Sequence, residues 1–118
     1  MTSASRQFCI LVVDDDAAVA LSVRRAFRRR GDQVLTAQSV AEAWLLLQER
    51  PERPIDHALI DLTLPDGDGL TLAVDLHTAY PHIRITLTTG GSAPVSTDFG
   101  LLPKPFTVNE LWAAVPNE

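Results

Sequence analysis

The feature that most constrains the fold of this chain is a regular alternation of short apolar runs with stretches of helical periodicity. Such runs are typical of buried strands, and all but one of the stretches between them are long enough for a helix. Strands joined by helices pair in parallel, because each connection must cross back over the sheet. The sequence therefore predicts a three-layer α/β sandwich around a parallel sheet. The five predicted strands are residues 8–13, 33–37, 55–60, 83–88 and 99–102.

Capping patterns predict where the helices begin. Asp16 can cap the first helix, because an aspartate before a helix accepts hydrogen bonds from its free backbone N–H groups. Ser39 with Glu42, and Thr107 with Glu110, have the spacing of capping boxes for the second and last helices. The apolar face of the third helix is predicted to consist of Leu70, Ala73, Val74 and His77.

Composition favours one globular domain. The chain has 118 residues, of which 46% are hydrophobic and 21% are charged, and this suits a single buried core. We expect one domain over residues 1–118, with its core at about 8–115. The net charge of −5 disfavours direct nucleic acid binding. No run approaches the ~20 apolar residues of a membrane-spanning helix, and no signal peptide is evident, so we predict a cytoplasmic location without membrane contact.

The first predicted helix carries an unusual concentration of positive charge. A run of charged residues on a helix is most often its solvated face. The alternative is a docking surface for an acidic partner, and the sequence leaves both interpretations open. The residues concerned are Arg24, Arg25, Arg28, Arg29 and Arg30.

Five chemically active residues each follow a predicted strand. Because the carboxyl ends of parallel strands meet at one edge of a sheet, we expect these side chains to lie close together. Clustered carboxylates repel one another unless a cation joins them, and oxygen ligands suit Mg²⁺. An aspartate can also attack phosphorus, and the transferred group then needs cations and hydrogen-bond donors around its oxygens. The five residues are Asp14, Asp15, Asp61, Thr89 and Lys104.

Three motifs together resemble the receiver domain of two-component response regulators. They are the segments 10–16 (ILVVDDD), 56–69 (DHALIDLTLPDGDG) and 102–106 (LPKPF). The resemblance extends from about residue 10 to residue 112, which is nearly the whole chain. It implies a flavodoxin-like fold with a five-stranded parallel sheet in the order 2-1-3-4-5 and helices on both faces.

The resemblance implies a role for each acidic residue of the site. Asp61 matches the aspartate that accepts the phosphoryl group. Asp14 and Asp15 match the pair that binds Mg²⁺, with Asp15 the more direct ligand. Asp61 would also be a ligand, and Thr63 would contribute its backbone carbonyl oxygen to the metal.

The resemblance also implies roles for Thr89 and Lys104. Thr89 matches the switch hydroxyl that hydrogen-bonds to the phosphoryl group, and Lys104 matches the lysine that pairs with it. The bond between Lys104 and Pro105 is expected to be cis. Thr88 competes for the switch role, but Thr89 is preferred because a glycine follows it, and neighbouring side chains of a strand point in opposite directions.

Two departures from the family pattern concern the output of the domain. Only 14 residues separate Thr89 from Lys104, about seven fewer than in the family, which removes about two helical turns. The fourth helix is therefore expected to be short or replaced by a loop, and we hypothesise that residues 90–98 change their order on phosphorylation. In addition, Leu101 stands where the family has an aromatic residue, and Phe99 is a weak substitute.

Three functions are compatible with the site. The first is a stand-alone receiver that takes a phosphoryl group from a histidine kinase or phosphotransfer protein and signals through protein contacts, without being an enzyme acting on another substrate. The second is a receiver-like module that binds a partner through an altered 90–98 loop without phosphorylation. The third is a Mg²⁺-dependent aspartyl phosphatase, which is disfavoured because Thr63 stands where such enzymes have a second aspartate.

Overall fold

A computed structural model describes residues 7–49, 54–91 and 97–117 of the chain. The predictions for the first residues, and part of those for the loops at 51–54 and 90–98, fall outside these ranges. The described helices are α1 (Ala17–Arg29), α2 (Val40–Gln48), α3 (Gly69–Ala79) and α4 (Val108–Ala114). The strands are β1 (Cys9–Val13), β2 (Gln33–Ala37), β3 (His57–Asp61), β4 (Thr63–Leu64), β5 (Gly67–Asp68), β6 (Arg84–Thr89) and β7 (Gly100–Pro103).

Five of the strands form one parallel sheet in the order β2-β1-β3-β6-β7. In the numbering of the five predicted strands this is the order 2-1-3-4-5, so the predicted fold class is confirmed. The predicted ends of the first, third, fourth and fifth strands differ from the observed ends by one or two residues. The antiparallel pair β4–β5 was not predicted, because two-residue strands leave no periodic pattern in the sequence.

The sheet separates two apolar cores, and β1 contributes to both of them. Cys9, Leu11 and Val13 belong to the core shared with α2 and α3. Ile10 and Val12 belong to the core shared with α1 and α4. Successive residues of a strand face opposite sides, so a strand buried on both sides must be apolar throughout.

The predicted apolar face of α3 is partly wrong. Val74 is 49% exposed and His77 is also exposed, whereas Leu72 and Leu76 are buried together with Ala73. Both sets of residues have helical spacing. Because the whole helix is rich in apolar residues, its periodicity did not determine which side meets the sheet.

The predicted caps are present, with one difference in partners. The side chain of Asp16 accepts hydrogen bonds from two N–H groups at the start of α1, and Thr107 and Glu110 form a reciprocal capping box on α4. Ser39 caps α2 by accepting from the N–H of Glu42. The carboxylate of Glu42 accepts from the N–H of Gln38 rather than that of Ser39, so the predicted box is only half formed.

The connection between β6 and β7 contains no helical residue among those that the structure describes, namely 90, 91 and 97–99. This agrees with a shortened fourth-helix region. Because no helix is described between β6 and β7, the last predicted helix is α4 in the structure. Within the described ranges, no helix is both long enough and apolar enough to cross a membrane.

A polar network is buried at the amino end of the sheet, opposite to the end that carries Asp61. Nε2 of His57 lies 2.8 Å from Oγ1 of Thr86, which in turn donates to the carbonyl oxygen of Ala114 in α4 at 3.3 Å. Because Thr86 uses its proton in that bond, His57 must carry its own proton on Nε2. Burial, with the nearby charges of Arg84 and Arg30, lowers the pKa of His57 to about 4.

Candidate functional site

The structure places the predicted site residues at the carboxyl edge of the sheet. Asp14 and Asp15 follow β1 directly, Asp61 is the last residue of β3, and Thr89 is the last residue of β6. Lys104 follows β7, and its backbone N–H donates to the carbonyl oxygen of Thr89 at 2.7 Å. Parallel pairing therefore gathers residues that are up to 90 positions apart in the sequence.

Three carboxylates at this edge are close enough to share a cation. Asp14, Asp15 and Asp61 each have an oxygen within 4.8 Å of those of the other two. Asp14 and Asp61 are buried, whereas Asp15 is exposed. These hard oxygen donors, two of them removed from water, fit a small divalent cation such as Mg²⁺. The exposed position of Asp15 leaves room for the water ligands that Mg²⁺ usually keeps.

Lys104 joins the two buried carboxylates. Its Nζ atom lies 2.9 Å from Oδ2 of Asp14 and 2.9 Å from Oδ2 of Asp61. Burial by itself would lower the pKa of Lys104, but hydrogen bonds to these carboxylates and their negative charges outweigh it and raise the pKa. The peptide bond between Lys104 and Pro105 is cis, as expected. A permanent cation is thus held against the carboxylate of Asp61.

Each remaining oxygen of the buried pair accepts a backbone hydrogen bond. Oδ1 of Asp14 accepts from the N–H of Asp16 at 2.9 Å, and Oδ1 of Asp61 accepts from the N–H of Thr63 at 3.1 Å. Both carboxylates are therefore fixed on two sides, and fixed orientation favours a defined chemical role. The bond between the Asp16 N–H and Asp14 was not predicted from the sequence.

Thr88 and Thr89 differ in their surroundings as strand alternation predicts. Thr88 is 2% exposed, and its Cα is paired with that of Asp61 in the neighbouring strand. Thr89 is half-buried, and its Oγ1 accepts a hydrogen bond from the N–H of Gly91 at 3.1 Å. The hydroxyl proton of Thr89 is therefore available to another acceptor.

The β4–β5 hairpin connects the site to α2, a contact that sequence reasoning missed. The carboxylate of Asp66 accepts from the N–H groups of Val40 and Ala41 at 2.8 and 3.0 Å. Those hydrogen bonds lower the pKa of Asp66. Gly69 lies directly against the strand end, since a Cβ atom there would be 2.0 Å from the carbonyl oxygen of Asp61. The glycine and acidic residues of this loop were visible in the sequence, but their partners were not.

Leu101, and not an aromatic residue, occupies the position three residues before Lys104. Leu101 is 40% exposed on β7. Phe99 is half-buried, packs against the core shared with α2 and α3, and contacts the His77 ring edge-on at a centroid distance of 5.8 Å. Phe99 therefore occupies a partly buried position beside α3.

An apolar groove lies next to the site, between α1 and the start of α4. It has a volume of about 330 Å³ and is lined mainly by side chains of α1 and of residues 104–108, including Lys104 itself. Val19, Pro105 and Phe106 are among its lining residues. The groove was not predicted, because it forms only when two helices distant in sequence pack side by side.

Comparisons with known proteins agree on one protein family. A family model described as the response regulator receiver domain matches residues 10–116. The crystal structure of a response regulator receiver domain protein (CheY-like) from Methanospirillum hungatei has a TM-score of 0.82 and 24% identity, covering 93% of this chain and 91% of that one. At this identity, the solved structure supports the fold alone.

Two curated relatives are similar over most of this chain. The sensor kinase CckA of Brucella abortus is 31% identical over 97% of the chain, and the photosynthetic apparatus regulatory protein RegA of Cereibacter sphaeroides is 36% identical over 90%. The matched regions make up only 13% of CckA and 60% of RegA. The likeness therefore concerns one domain of each relative, and not the activity of the whole protein.

Proposed function

This chain belongs to the response regulator receiver domain family of two-component signalling, and we propose that within it Asp61 is the aspartate that accepts the phosphoryl group. The observation that carries the proposal is the position of the Asp61 carboxylate, which lies within hydrogen-bond distance of the Lys104 ammonium and beside two further carboxylates. A carboxylate used only for structure would not need both a cation and a metal-binding set around it.

The proposed reaction is a transfer between two side chains. An oxygen of Asp61 attacks phosphorus, the bond from phosphorus to the donor nitrogen of a phosphohistidine breaks, and an acyl phosphate forms as the electron pair returns to the imidazole. The Lys104 ammonium lies close enough to Asp61 to pair with the oxygens of the new group. The Thr89 hydroxyl would donate to another of these oxygens.

The Mg²⁺ site is assigned to Asp14, Asp15 and Asp61, with the backbone carbonyl of Thr63 as a further ligand. When bound, Mg²⁺ would supply positive charge for the oxygens of the transferred phosphoryl group. The support is the close approach of the three carboxylates and the hard character of their oxygens. Asp14 would also keep Lys104 in place, because it shares the ammonium with Asp61.

The phosphodonor is proposed to be a histidine kinase or a phosphotransfer protein that docks in the apolar groove between α1 and α4. The groove adjoins the acceptor, because Lys104 both lines it and contacts Asp61. A donor helix lying there would bring its histidine to the carboxyl edge of the sheet. Downstream signalling would use protein contacts, without direct nucleic acid or membrane binding.

A phosphodonor experiment tests the assignment of Asp61. The purified chain is incubated with acetyl phosphate and Mg²⁺, and intact mass is measured before and after mild base. We expect a base-labile gain of about 80 Da, the mass of one added phosphoryl group. Asp61→Asn should show no gain, whereas the matched control Asp75→Asn, which changes an exposed aspartate of α3, should keep it.

Two outcomes would contradict the proposal. A gain in mass that persists in Asp61→Asn would place the acceptor elsewhere. The absence of any adduct in the unmodified chain, with a phosphohistidine donor as well as acetyl phosphate, would favour a module that binds its partner without phosphorylation.

A further inference from the structure

The solvent face of α1 carries charges that neither the fold nor the proposed phosphorylation uses. Arg24, Arg25, Arg28 and Arg29 are all exposed, and α1 contains no acidic residue. In the part of the chain that the structure describes, none of these four side chains forms an ion pair. Arg30 differs from them, because it is half-buried and paired with Asp32 at 2.7 Å.

The arrangement of these arginines is unfavourable for the isolated domain. Arg24 and Arg28, and likewise Arg25 and Arg29, are four residues apart, and like charges at this spacing repel each other on a helix. Arg28 and Arg29 lie in the last turn, where positive charge interacts well with the helix dipole. That effect fades within one turn, so it does not account for Arg24 and Arg25.

An exposed apolar side chain lies among the arginines. Leu21 is 45% exposed. Together with Arg25 and Arg28 it has the spacing of a single helix face, and Arg24 and Arg29 lie on either side of that face. The buried residues Val23, Ala26 and Phe27 occupy the opposite side of the helix. We call Leu21, Arg24, Arg25, Arg28 and Arg29 the arginine surface.

We propose that the arginine surface binds an acidic amphipathic helix of a partner protein, with carboxylates around one apolar side chain that packs on Leu21. From residue 21 to residue 29 the surface is ~12 Å long, which matches about two turns of a facing helix. An apolar anchor surrounded by a polar rim is a common arrangement of a protein interface.

Charge argues against the larger polyanions as partners. The chain has a net charge of −5, and its acidic site lies at the carboxyl edge of the sheet, where α1 begins. A nucleic acid or an anionic bilayer would extend past the arginine surface and meet this negative charge. A short acidic helix would contact only the arginines.

The surface is distinct from the groove assigned to the phosphodonor, and the proposal does not depend on phosphorylation. Of the five residues of the arginine surface, none lines the groove. Loss of phosphorylation in the mass experiment would therefore leave this inference intact, and loss of peptide binding would leave the assignment of Asp61 intact.

A binding experiment with the full chain tests the inference. The probe is a fluorescent synthetic helix with glutamates at i, i+4 spacing around a single leucine, followed by anisotropy, and by NMR shifts of the ¹⁵N-labelled protein. We expect shifts concentrated on residues 21–29 and a strong loss of affinity with added salt, since ~0.3 M salt shortens electrostatic interactions to a few ångströms. The double variant Arg25→Glu with Arg28→Glu should bind about tenfold more weakly, and Leu21→Ser about threefold more weakly.

Two controls separate a specific surface from general attraction. Arg84→Glu changes an exposed arginine outside α1 and should bind the probe like the unchanged chain. A probe with lysines in place of its glutamates should lose binding to the unchanged chain and recover it with the double variant. Urea unfolding of each variant verifies that it is folded.

The inference would be overturned by equal binding of the double variant and the unchanged chain, or by equal losses in the double variant and Arg84→Glu. Tighter binding to phosphatidylserine vesicles or to a DNA duplex than to the acidic helix would also overturn it, in favour of a lipid or nucleic acid partner.

Discussion

Mild acid should destabilise this domain through His57. The pKa of this residue is lowered from 6.5 to about 4, first by burial and then by the charges of Arg84 and Arg30. Its Nδ1 atom is buried and has no hydrogen-bond partner among the described residues, so a proton added there would be a buried charge without an acceptor. The unfolded chain has no such restriction, and its histidine takes up a proton near pH 6.5.

The sign and size of the effect follow from this difference. Because the unfolded state binds the proton more readily, the contribution of His57 to stability is complete above pH 6.5 and is lost as the pH falls towards 4. At ~1.4 kcal/mol for each pH unit, the full difference corresponds to about 3 kcal/mol of unfolding free energy, of which about 2 kcal/mol is lost between pH 7 and pH 5. This is a large part of the ~5–15 kcal/mol that stabilises a typical domain.

The assay compares unfolding free energies from urea titrations at several values between pH 7 and pH 5. Carboxyl groups also begin to titrate in this range, so the informative quantity is the difference between the unchanged chain and His57→Gln. Between pH 7 and pH 5, we expect the unfolding free energy of the variant to fall by about 2 kcal/mol less than that of the unchanged chain. His82→Gln alters an exposed histidine and should follow the unchanged chain. Parallel curves for His57→Gln and the unchanged chain would refute the reasoning.

Three further predictions concern the site and its support. Lys104→Met removes the ammonium that lies 2.9 Å from Asp61, so calorimetry should show roughly tenfold tighter Mg²⁺ binding; an unchanged affinity would contradict the assigned metal site. Gly69→Ala places a methyl group 2.0 Å from the Asp61 carbonyl oxygen and should lower the unfolding free energy by about 3 kcal/mol in urea titrations, and a neutral effect would be inconsistent with this packing. Asp66→Ala removes the acceptor of the Val40 N–H, so hydrogen exchange at that amide should accelerate, whereas unchanged protection would show that the hairpin does not fix α2.

Much of the fold could be predicted because its signals are local. β1 is apolar at every position, and this pattern follows from burial on both faces. Asp16, Ser39 and Thr107 each cap the helix that follows them, because a capping side chain bonds to backbone only two or three residues away. Such interactions join residues that are close in the sequence, so the sequence alone can predict them.

Most of the differences between prediction and structure arise from contacts between residues that are distant in the sequence. On α3, Val74 was predicted to be buried and is exposed, because the choice of the buried side depends on the sheet rather than on the helix. The half-formed capping box of α2 is a local exception, because Glu42 bonds to Gln38, which lies only four residues away, instead of to Ser39. Asp66 has its partners at the start of α2, about 25 residues earlier in the chain.

The candidate site also has features that the sequence predicted and features that it did not. The sequence predicted its members, since each of Asp14, Asp15, Asp61, Thr89 and Lys104 lies at or just past the carboxyl end of a strand. It also predicted the location of the site, since parallel strands end at one edge of the sheet. It did not predict the apolar groove beside the site, because that groove lies between helices that meet only in the folded domain.

By itself, the sequence determined the order of the elements, the parallel sheet and the set of residues at its carboxyl edge. Each of these follows from residue spacing along the chain. Only the tertiary structure decided that Lys104 shares its ammonium between Asp14 and Asp61, and that Leu21 lies exposed among the arginines of α1. Those features depend on distances through space, which the chain fixes only when all of its elements pack together.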